Sequence, residues 1–312
     1  MNLAPVGVST YIRLEHLKQT ISALQHNTLA KESKLYVFSD AARLGDEKKV
    51  EKVRRYLCNI SGFREVNIIE RDTNDRVFNN RDGIRQLLEQ YGNIIFLEED
   101  IVTAPGFLKF MNEALVYYKK SKDILSVSGY TPPLSSLNSY RNDVYKLTRF
   151  NAWGFATWRD KFDPFGFDIN EHGVENYIKN SDFKEKFNQN GEDLYEMLMQ
   201  EYNGNLDALD VKIMFYEFKY NKHTIYPRKS LVQNIGHDGS GIHCGVSNKF
   251  HHKELWSKVG EFKFIKDLKI DENIVKENYK FRRLDWYYKF IILSKKYKIF
   301  PLLRYLKRRV KG

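Results

Sequence analysis

Three acidic residues follow one another directly after an apolar run. Residues 93–108 read NIIFLEEDIVTAPGFL, in which residues 94–97 have the composition of a buried strand and Glu98, Glu99 and Asp100 come next. Neighbouring carboxylates repel one another, so they need solvent or a cation to compensate their charge. Acids at such a position suit Mg²⁺ or Mn²⁺, which takes one or two protein carboxylates and completes its shell with phosphate oxygens and water. The chemistry this predicts is metal-assisted transfer at a diphosphate.

Two further segments of strand composition also end in polar residues. Asp40 follows LYVFS, and Arg71 and Asp72 follow VNIIE. A single polar strand end is ordinary, but the carboxyl ends of parallel strands meet at one edge of a sheet, where ligands bind. The sequence therefore predicts one ligand site shared by these strand ends. It contains neither GxxxxGK[ST] nor GxGxxG, which argues against a P-loop NTPase or a dinucleotide enzyme.

The elements that must position these acids alternate along the first 130 residues. Strand-like segments near 5–12, 34–40, 65–72, 93–100 and 124–130 are separated by helix-like segments at 15–25, 46–58, 82–90 and after Ala104-Pro105. Such alternation predicts an α/β fold with a mainly parallel sheet that helices cover on both faces. We expect residues 1–255 to form the main domain, with halves at 1–130 and 131–255, and residues 256–312 to form a basic tail.

The motifs VFSD, NIIFLEEDIVTAPGFLKFMNEAL and NAWGFATW resemble the GT-A glycosyltransferases. Within that fold they resemble the N-acetylglucosaminyltransferase I-like group and its bacterial sugar transferase relatives, over about residues 5–250. The resemblance implies a GT-A (Rossmann-like) mixed sheet flanked by helices. It also implies a hexosyl- or N-acetylhexosaminyltransferase that uses a UDP-sugar and Mn²⁺ or Mg²⁺.

The resemblance assigns roles to residues at the sheet edge. Asp100 would coordinate the metal, Glu99 would face the ribose and Glu98 the donor sugar, although the eukaryotic enzyme has aspartate at the position of Glu99. Asp40 would read the uracil ring. Arg13 would contact the nucleotide, with a solvated arginine that caps a loop as the alternative.

An inverting transferase also needs a carboxylate that takes the proton from the acceptor hydroxyl. The resemblance places Asp210 at that position, although Leu209 replaces the aromatic residue that the family carries before the acid. Asp207 is the rival, and both could be acids on the surface of a helix. His243, at the end of a glycine-rich stretch, resembles a late histidine that completes the metal shell, with a solvated histidine as the alternative.

The glycine-rich stretch itself, near residues 236–245, suits either a mobile lid or a long surface turn. The aromatic stretch at 145–165 suits a core patch, but Trp153 and Trp158 could also stack on the faces of an acceptor sugar.

The basic charge lies near the carboxyl terminus. Residues 280–312 hold twelve Lys or Arg and one acid, which equals the net charge of +11 of the whole chain. Residues 279–312 combine these charges with apolar residues at helical spacing, which is typical of amphipathic helices on an anionic bilayer. Nucleic acid and a partner protein are alternatives, and the adjacent Ile, Leu and Trp favour lipid over nucleic acid.

These observations lead to one expected function and two rivals. We expect an enzyme attached peripherally to the inner face of a cell membrane, where it extends a lipid-linked glycan for O-antigen or capsule. The two cysteines without a CxxC and the absence of a signal-peptide pattern suit the cytoplasm. The rivals are a nucleotidyltransferase and a non-catalytic carbohydrate- or membrane-binding protein.

Overall fold

The computed structural model describes residues 3–239 and 248–284. The strands are β1 (Val6–Thr10), β2 (Lys34–Ser39), β3 (Glu65–Glu70), β4 (Asn93–Glu98), β5 (Ile101–Thr103), β6 (Ile124–Ser128), β7 (Val144–Leu147), β8 (Phe155–Trp158), β9 (His223–Pro227) and β10 (Val232–Asn234). The helices are α1 (Leu14–Gln25), α2 (Glu47–Leu57), α3 (Arg76–Tyr91), α4 (Phe107–Tyr117), α5 (Val174–Ile178), α6 (Phe183–Phe187), α7 (Leu194–Tyr202), α8 (Leu209–Tyr220) and α9 (Glu272–Phe281).

Eight strands form one central sheet in the order β3-β2-β1-β4-β8-β6-β9-β7. The strands β1 to β4 are parallel to one another, β8 is antiparallel to both β4 and β6, and β7 is antiparallel to β9. The predicted fold class, a mixed and mainly parallel sheet flanked by helices, is confirmed. The strands β1 to β4 therefore end at one common edge.

Both faces of this sheet are buried, which explains the continuous apolar runs in its strands. In β4, Ile95 and Leu97 pack on one side with α1 and α4, whereas Ile94 and Phe96 pack on the other side with α3 and α8. Gly7 in β1 leaves room for this packing, because a Cβ there would lie 2.6 Å from the Phe96 ring. The core thus holds both faces of β4 in place, and Glu98, the first residue of the acidic triplet, is the last residue of this strand.

The helix α3 begins at Arg76, six residues before the predicted helix at 82–90. The Asp75 side chain accepts a hydrogen bond from the backbone N–H of Phe78 and so caps the first turn. In the first turn Phe78 is exposed and the polar Asn79 is buried, so the apolar periodicity indicated only the second half of this helix.

The predicted contact between Trp158 and an acceptor sugar is wrong. Trp158 is the last residue of β8 and is only 1% exposed, and its indole N–H donates to the backbone oxygen of Leu115 at 3.0 Å. Lys161 covers the ring at 3.9 Å from its centre. A ring enclosed in this way has no free face for a sugar.

Residues 256–284 pack on the sheet domain, which differs from the tail predicted to begin at 256. Trp256, Phe262 and Leu268 belong to the main hydrophobic core. The helix α9 is held through Glu277, whose carboxylate accepts hydrogen bonds from the backbone N–H groups of Ser135 and Ser136 at 2.6 and 2.8 Å. The rest of the predicted tail, residues 285–312, lies outside the described residues, and so does His243. Within residues 3–239 and 248–284, no helix is long and apolar enough to cross a bilayer.

Candidate active site

The acidic triplet lies where β4 turns into β5, at the common edge of the parallel strands. Glu99 and Asp100 are buried, with 8% and 5% of their surfaces exposed. The loop after β1 crosses directly in front of them, because the backbone N–H of Tyr11 donates to Glu99 Oε2 at 2.6 Å. Arg13 in the same loop donates to Glu99 Oε1 at 2.8 Å and to Asp100 Oδ2 at 2.6 Å. Arg13 therefore lies against the triplet, and the nucleotide contact assigned to it stays a prediction.

Glu99 takes part in holding this loop. Burial raises the pKa of its carboxyl group, and the charge of Arg13 opposes that rise. Its backbone oxygen also accepts a hydrogen bond from the Thr20 hydroxyl at 2.7 Å, which ties the turn to α1. Both Glu99 oxygens are thus engaged within the protein, and the ribose contact assigned to it stays a prediction.

The second segment at the triplet is the chain that leaves β10. The strand β10 pairs antiparallel with β5, and the pairing continues as the backbone N–H of Ile235 donates to the backbone oxygen of Asp100 at 2.9 Å. Gly236 follows, and a Cβ at that position would collide with Asp100 Oδ2. Glycine is required there because the backbone passes against the carboxylate. This path brings His237 to the triplet.

Two polar atoms at this point, Asp100 Oδ1 and His237 Nε2, are buried and have no hydrogen-bond partner among the described residues. Burial lowers the pKa of His237, and the charge of Asp100 opposes that shift. The imidazole is therefore neutral at pH 7, which is the form that binds metal ions. The ring is held between Trp153 and Phe250, with ring centres 5.4 and 5.2 Å away.

An oxygen and a nitrogen left unpaired in this way fit a divalent cation. Within the described parts of the chain, no group of three or more His, Cys, Asp or Glu side chains is arranged to hold a metal. Mg²⁺ and related ions often use only one or two protein ligands when substrate phosphates supply the others. His237 was not predicted as a ligand, although it lies in the same glycine-rich stretch as His243.

A carboxylate from the second half of the chain faces the triplet. Asp210 lies in the first turn of α8, and its charge is among those that act on Glu98. Burial, followed by the charge of Asp100, raises the pKa of Glu98 to about 7, and burial raises the pKa of Asp210 to about 6 against the charges of Arg149 and Arg76. Glu98 accepts a hydrogen bond from Asn80 at 3.3 Å. Two carboxyl groups with raised pKa values at the end of a parallel sheet mark a candidate catalytic centre.

Asp207 has a different environment although it lies three residues away. Its carboxylate is 53% exposed and accepts hydrogen bonds from Arg81 at 2.7 Å and from Lys212 at 3.0 Å. Burial alone would raise its pKa, but Lys212 and Arg81 lower it overall. A carboxylate that two cations stabilise in its charged form is a weak base, so the structure favours Asp210.

Asp40 is buried at the end of β2, with 2% of its surface exposed. It accepts hydrogen bonds from the backbone N–H groups of Ala41 and Asp75 and from the side chain of Asn74, at 2.9, 3.1 and 3.0 Å. Burial raises its pKa. These bonds join the loops after β2 and β3, and the uracil contact assigned to Asp40 stays a prediction.

No protein-family model and no curated protein matches the chain. Solved structures similar to it are glycosyltransferases. The mannosyltransferase PcManGT from Pyrobaculum calidifontis, in complex with GDP-Man and Mn²⁺, is 12% identical with a TM-score of 0.37, over 52% of this chain and 46% of that one. The galactosyltransferase LgtC, with donor and acceptor sugar analogues, is 12% identical with a TM-score of 0.39, over 71% of this chain and 72% of that one. GalNAc-T7 with UDP, GalNAc and Mn²⁺ is 12% identical with a TM-score of 0.43, over 73% and 43%.

The chain thus spans less than half the length of the mannosyltransferase and of GalNAc-T7. These structures are of the kind of enzyme that the sequence motifs resemble. At TM-scores below 0.5 the likeness carries no argument about what this chain binds or transfers.

Proposed function

We propose that this chain is an inverting, metal-dependent glycosyltransferase that moves a sugar from a UDP-sugar to a hydroxyl group of a glycan acceptor. The proposal rests on two buried atoms without a hydrogen-bond partner among the described residues, Asp100 Oδ1 and His237 Nε2. Asp210, whose pKa is raised to about 6, lies at the same edge of the sheet. A transferase of this kind needs a metal site for the diphosphate and a separate base for the acceptor.

Asp100 and His237 would hold Mn²⁺ or Mg²⁺. When bound, such an ion offsets the negative charge that develops on a leaving diphosphate. Arg13 already donates to Asp100 in the structure, so its guanidinium is close enough to turn to a phosphate oxygen when a nucleotide binds. Glu99 would keep the loop after β1 in place through its bond to the backbone of Tyr11.

Asp210 would act as the general base. The acceptor oxygen attacks the anomeric carbon, the bond from that carbon to the diphosphate breaks, and the proton of the acceptor hydroxyl passes to a carboxylate oxygen of Asp210. UDP leaves with the electron pair of the broken bond. A base with a pKa of about 6 is charged at pH 7 and still accepts a proton more readily than an ordinary aspartate.

The acceptor side would include Trp153, which is partly exposed between Tyr130 and His237. A lipid-linked glycan acceptor at the inner face of a membrane, as in O-antigen or capsule synthesis, would account for the basic and apolar residues at 279–312. On this proposal the tail attaches the enzyme peripherally to an anionic surface.

Calorimetry of UDP binding with and without Mn²⁺ tests the proposal. We expect the wild type to bind UDP at least tenfold more tightly with Mn²⁺, since metal-bridged phosphate contacts are charge-assisted. Asp100→Asn and His237→Gln should each remove the Mn²⁺ effect. Asp160→Asn and His26→Gln are matched controls, because both residues are exposed and lie away from the triplet.

UDP affinity that does not depend on Mn²⁺ in the wild type would contradict the proposal and favour a non-catalytic binding protein. A full Mn²⁺ effect in Asp100→Asn would show that the triplet is not the metal site. Incubation with a panel of UDP-sugars and Mn²⁺ then identifies the donor through slow hydrolysis to UDP. Cleavage of nucleoside triphosphates to pyrophosphate would instead indicate a nucleotidyltransferase.

A further inference from the structure

Arg282, at the end of α9, forms no salt bridge in the described part of the chain, although the charge of Asp193 acts on it. Its backbone N–H donates to Asn278 and closes the helix, but its guanidinium forms neither a salt bridge nor a hydrogen bond with a described residue. The Nε atom is buried and unpartnered. The guanidinium lies over the rings of Phe250 and Phe281, at 5.5 and 5.7 Å from their centres. A partly buried guanidinium without a hydrogen-bonded carboxylate is costly, so this arrangement needs an explanation.

A second arginine lies beside it. Arg149 is 4% exposed and binds both oxygens of Asp193, at 2.9 and 2.7 Å. Gly191 is wedged between the two arginines, because a Cβ at that position would collide with Arg149 Nη1 and lie 3.2 Å from Arg282 Cβ. The Arg149 guanidinium and the base of the Arg282 side chain thus approach the same backbone segment, where Asp193 is the one described carboxylate that forms a salt bridge with either arginine.

A third polar group at this place is also unpaired. Tyr130 is fully buried, and its hydroxyl group has no hydrogen-bond partner within residues 3–239 and 248–284. Its ring contacts Trp153 edge to face at 4.7 Å, and Trp153 contacts Phe250, the ring beneath Arg282, at 5.4 Å. The charges of Arg282 and Arg149 both act on Tyr130 and both act on Asp210. The arginines, the tyrosine hydroxyl and the candidate base therefore surround one region.

We propose that Arg282, Arg149 and Tyr130 form a subsite for an anionic group, a carboxylate or a phosphate, on the acceptor glycan. This inference rests on the proposed function and specifies its substrate class. An anion there would neutralise the charge of Arg282 and accept hydrogen bonds from its Nε–H and from the tyrosine hydroxyl. Arginine suits such anions because its donors match two oxygens at once.

We assign the anionic group to the acceptor and not to the donor diphosphate because of the position of Asp210, the proposed base. Asp210 is within electrostatic reach of Glu98 and of both arginines, whereas neither arginine is prominent among the charges acting on Glu98 or Glu99. Asp210 therefore interacts electrostatically both with the triplet and with the two arginines. In an inverting transfer the base lies on the acceptor side of the anomeric carbon, opposite the diphosphate. Groups beyond the base therefore face the acceptor.

The test compares binding of glucuronate with binding of glucose, two sugars of similar size that differ in a carboxylate. Calorimetry with the full chain is run with and without UDP and Mn²⁺. We expect the wild type to prefer glucuronate by about tenfold or more, the scale of one hydrogen-bonded charge pair. Arg282→Gln should abolish the preference, and Arg282→Lys should retain part of it. Arg283→Gln is the control, since it removes the same charge from the adjacent, exposed position.

Equal affinities in the wild type, no detectable binding of glucuronate, or a preference that persists in Arg282→Gln would each overturn the inference. A loss of UDP affinity in Arg282→Gln, with the folded state checked by circular dichroism, would assign the arginine to the diphosphate and also overturn it. The titration without UDP separates the two proposals. Glucuronate preference without any Mn²⁺-dependent UDP binding would keep the anion subsite and reject the glycosyltransferase.

Discussion

Two aspartates three residues apart at the start of α8 differ in chemistry because their neighbours differ. Asp207 is exposed and paired with two cations, whereas Asp210 faces the triplet and no described side chain donates a hydrogen bond to its carboxylate. Pairing stabilises the charged form of a carboxylate, and burial destabilises it. The environment therefore distinguishes a surface acid from the proposed base, which the residue types alone leave open.

Asp210→Asn should lower the rate of sugar transfer by about 10²-fold or more, the scale of a lost general base. UDP binding with Mn²⁺ should stay near the wild-type value, because Asp100 and His237 are unchanged. Steady-state kinetics with the identified donor, together with calorimetry, measures both. Asp207→Asn is the matched control, and a larger loss of rate in that variant would exchange the two roles.

The dependence of kcat/KM on pH should identify the same group. A base must be unprotonated, so the rate should increase with pH and level off above the pKa of Asp210, about 6 in the free protein. With the pKa of an ordinary aspartate, the rate would instead level off above about pH 4. Glu98 also titrates in this range, with a pKa of about 7. The increase of kcat/KM with pH should therefore persist in Glu98→Gln, and its disappearance in that variant would assign it to Glu98.

The apolar run before the acids predicted that the triplet lies at the sheet edge, whereas Asp210 was placed by the family resemblance and not by residue types or spacing. They did not distinguish His237 from His243, since the choice depends on the pairing of β10 with a strand from the first half of the chain. Trp158 was misassigned for a related reason. An aromatic residue beside polar neighbours looks the same in sequence whether its ring lies inside a sheet or on a surface.

At the scale of elements, the short pair formed by β5 and β10 assembles the candidate metal site. It carries Asp100 at the start of one strand and His237 just past the end of the other. The run at 93–100 predicted a single strand that ends in acids, and no pattern marked the three-residue strands. Strands this short contain too few residues for a periodic signal, so only the folded chain reveals them.

Gly236→Ala should weaken Mn²⁺-dependent UDP binding by tenfold or more while the central sheet stays folded. The added methyl group would collide with Asp100 Oδ2 and approach Arg13 to 2.9 Å, so the carboxylate or the backbone of residues 235–237 must move. Calorimetry and circular dichroism measure the two effects. Gly260→Ala is the control, because a Cβ there meets nothing within 4 Å. Unchanged Mn²⁺-dependent affinity in Gly236→Ala would show that this close approach does not matter for the metal.

At the scale of the whole molecule, the boundary between the sheet domain and the tail is clearer in the distribution of charge than in the fold. Residues 256–284 pack on the sheet domain, while residues 285–312 hold nine Lys or Arg and one acid. The sequence predicted the basic region but placed its start too early. The apolar residues of 256–268 have no helical spacing, so nothing in the pattern showed that they complete the core.

Truncation after Leu284 should leave a folded protein that no longer sediments with anionic vesicles. Basic residues near an anionic surface contribute about 1 kcal/mol each, and salt screens them within about 8 Å at physiological ionic strength. Wild-type binding should therefore weaken steeply with salt. Truncation after Val275 should in addition lower the melting temperature, because it removes Glu277 and its bonds to Ser135 and Ser136. Vesicle binding by the shorter proteins would contradict the membrane role of the tail.

On the proposed function, the pairing of β5 with β10 also links substrate binding to the stability of the fold. Asp100 and His237 come from distant parts of the sequence, so an unfolded chain presents no such pair. A ligand that binds only the native state shifts the unfolding equilibrium by mass action, by about 2.7 kcal/mol at a hundred times its dissociation constant. A cell rich in nucleotide sugar would therefore protect this protein from proteases, and a cell depleted of it would leave the same chain more open to degradation.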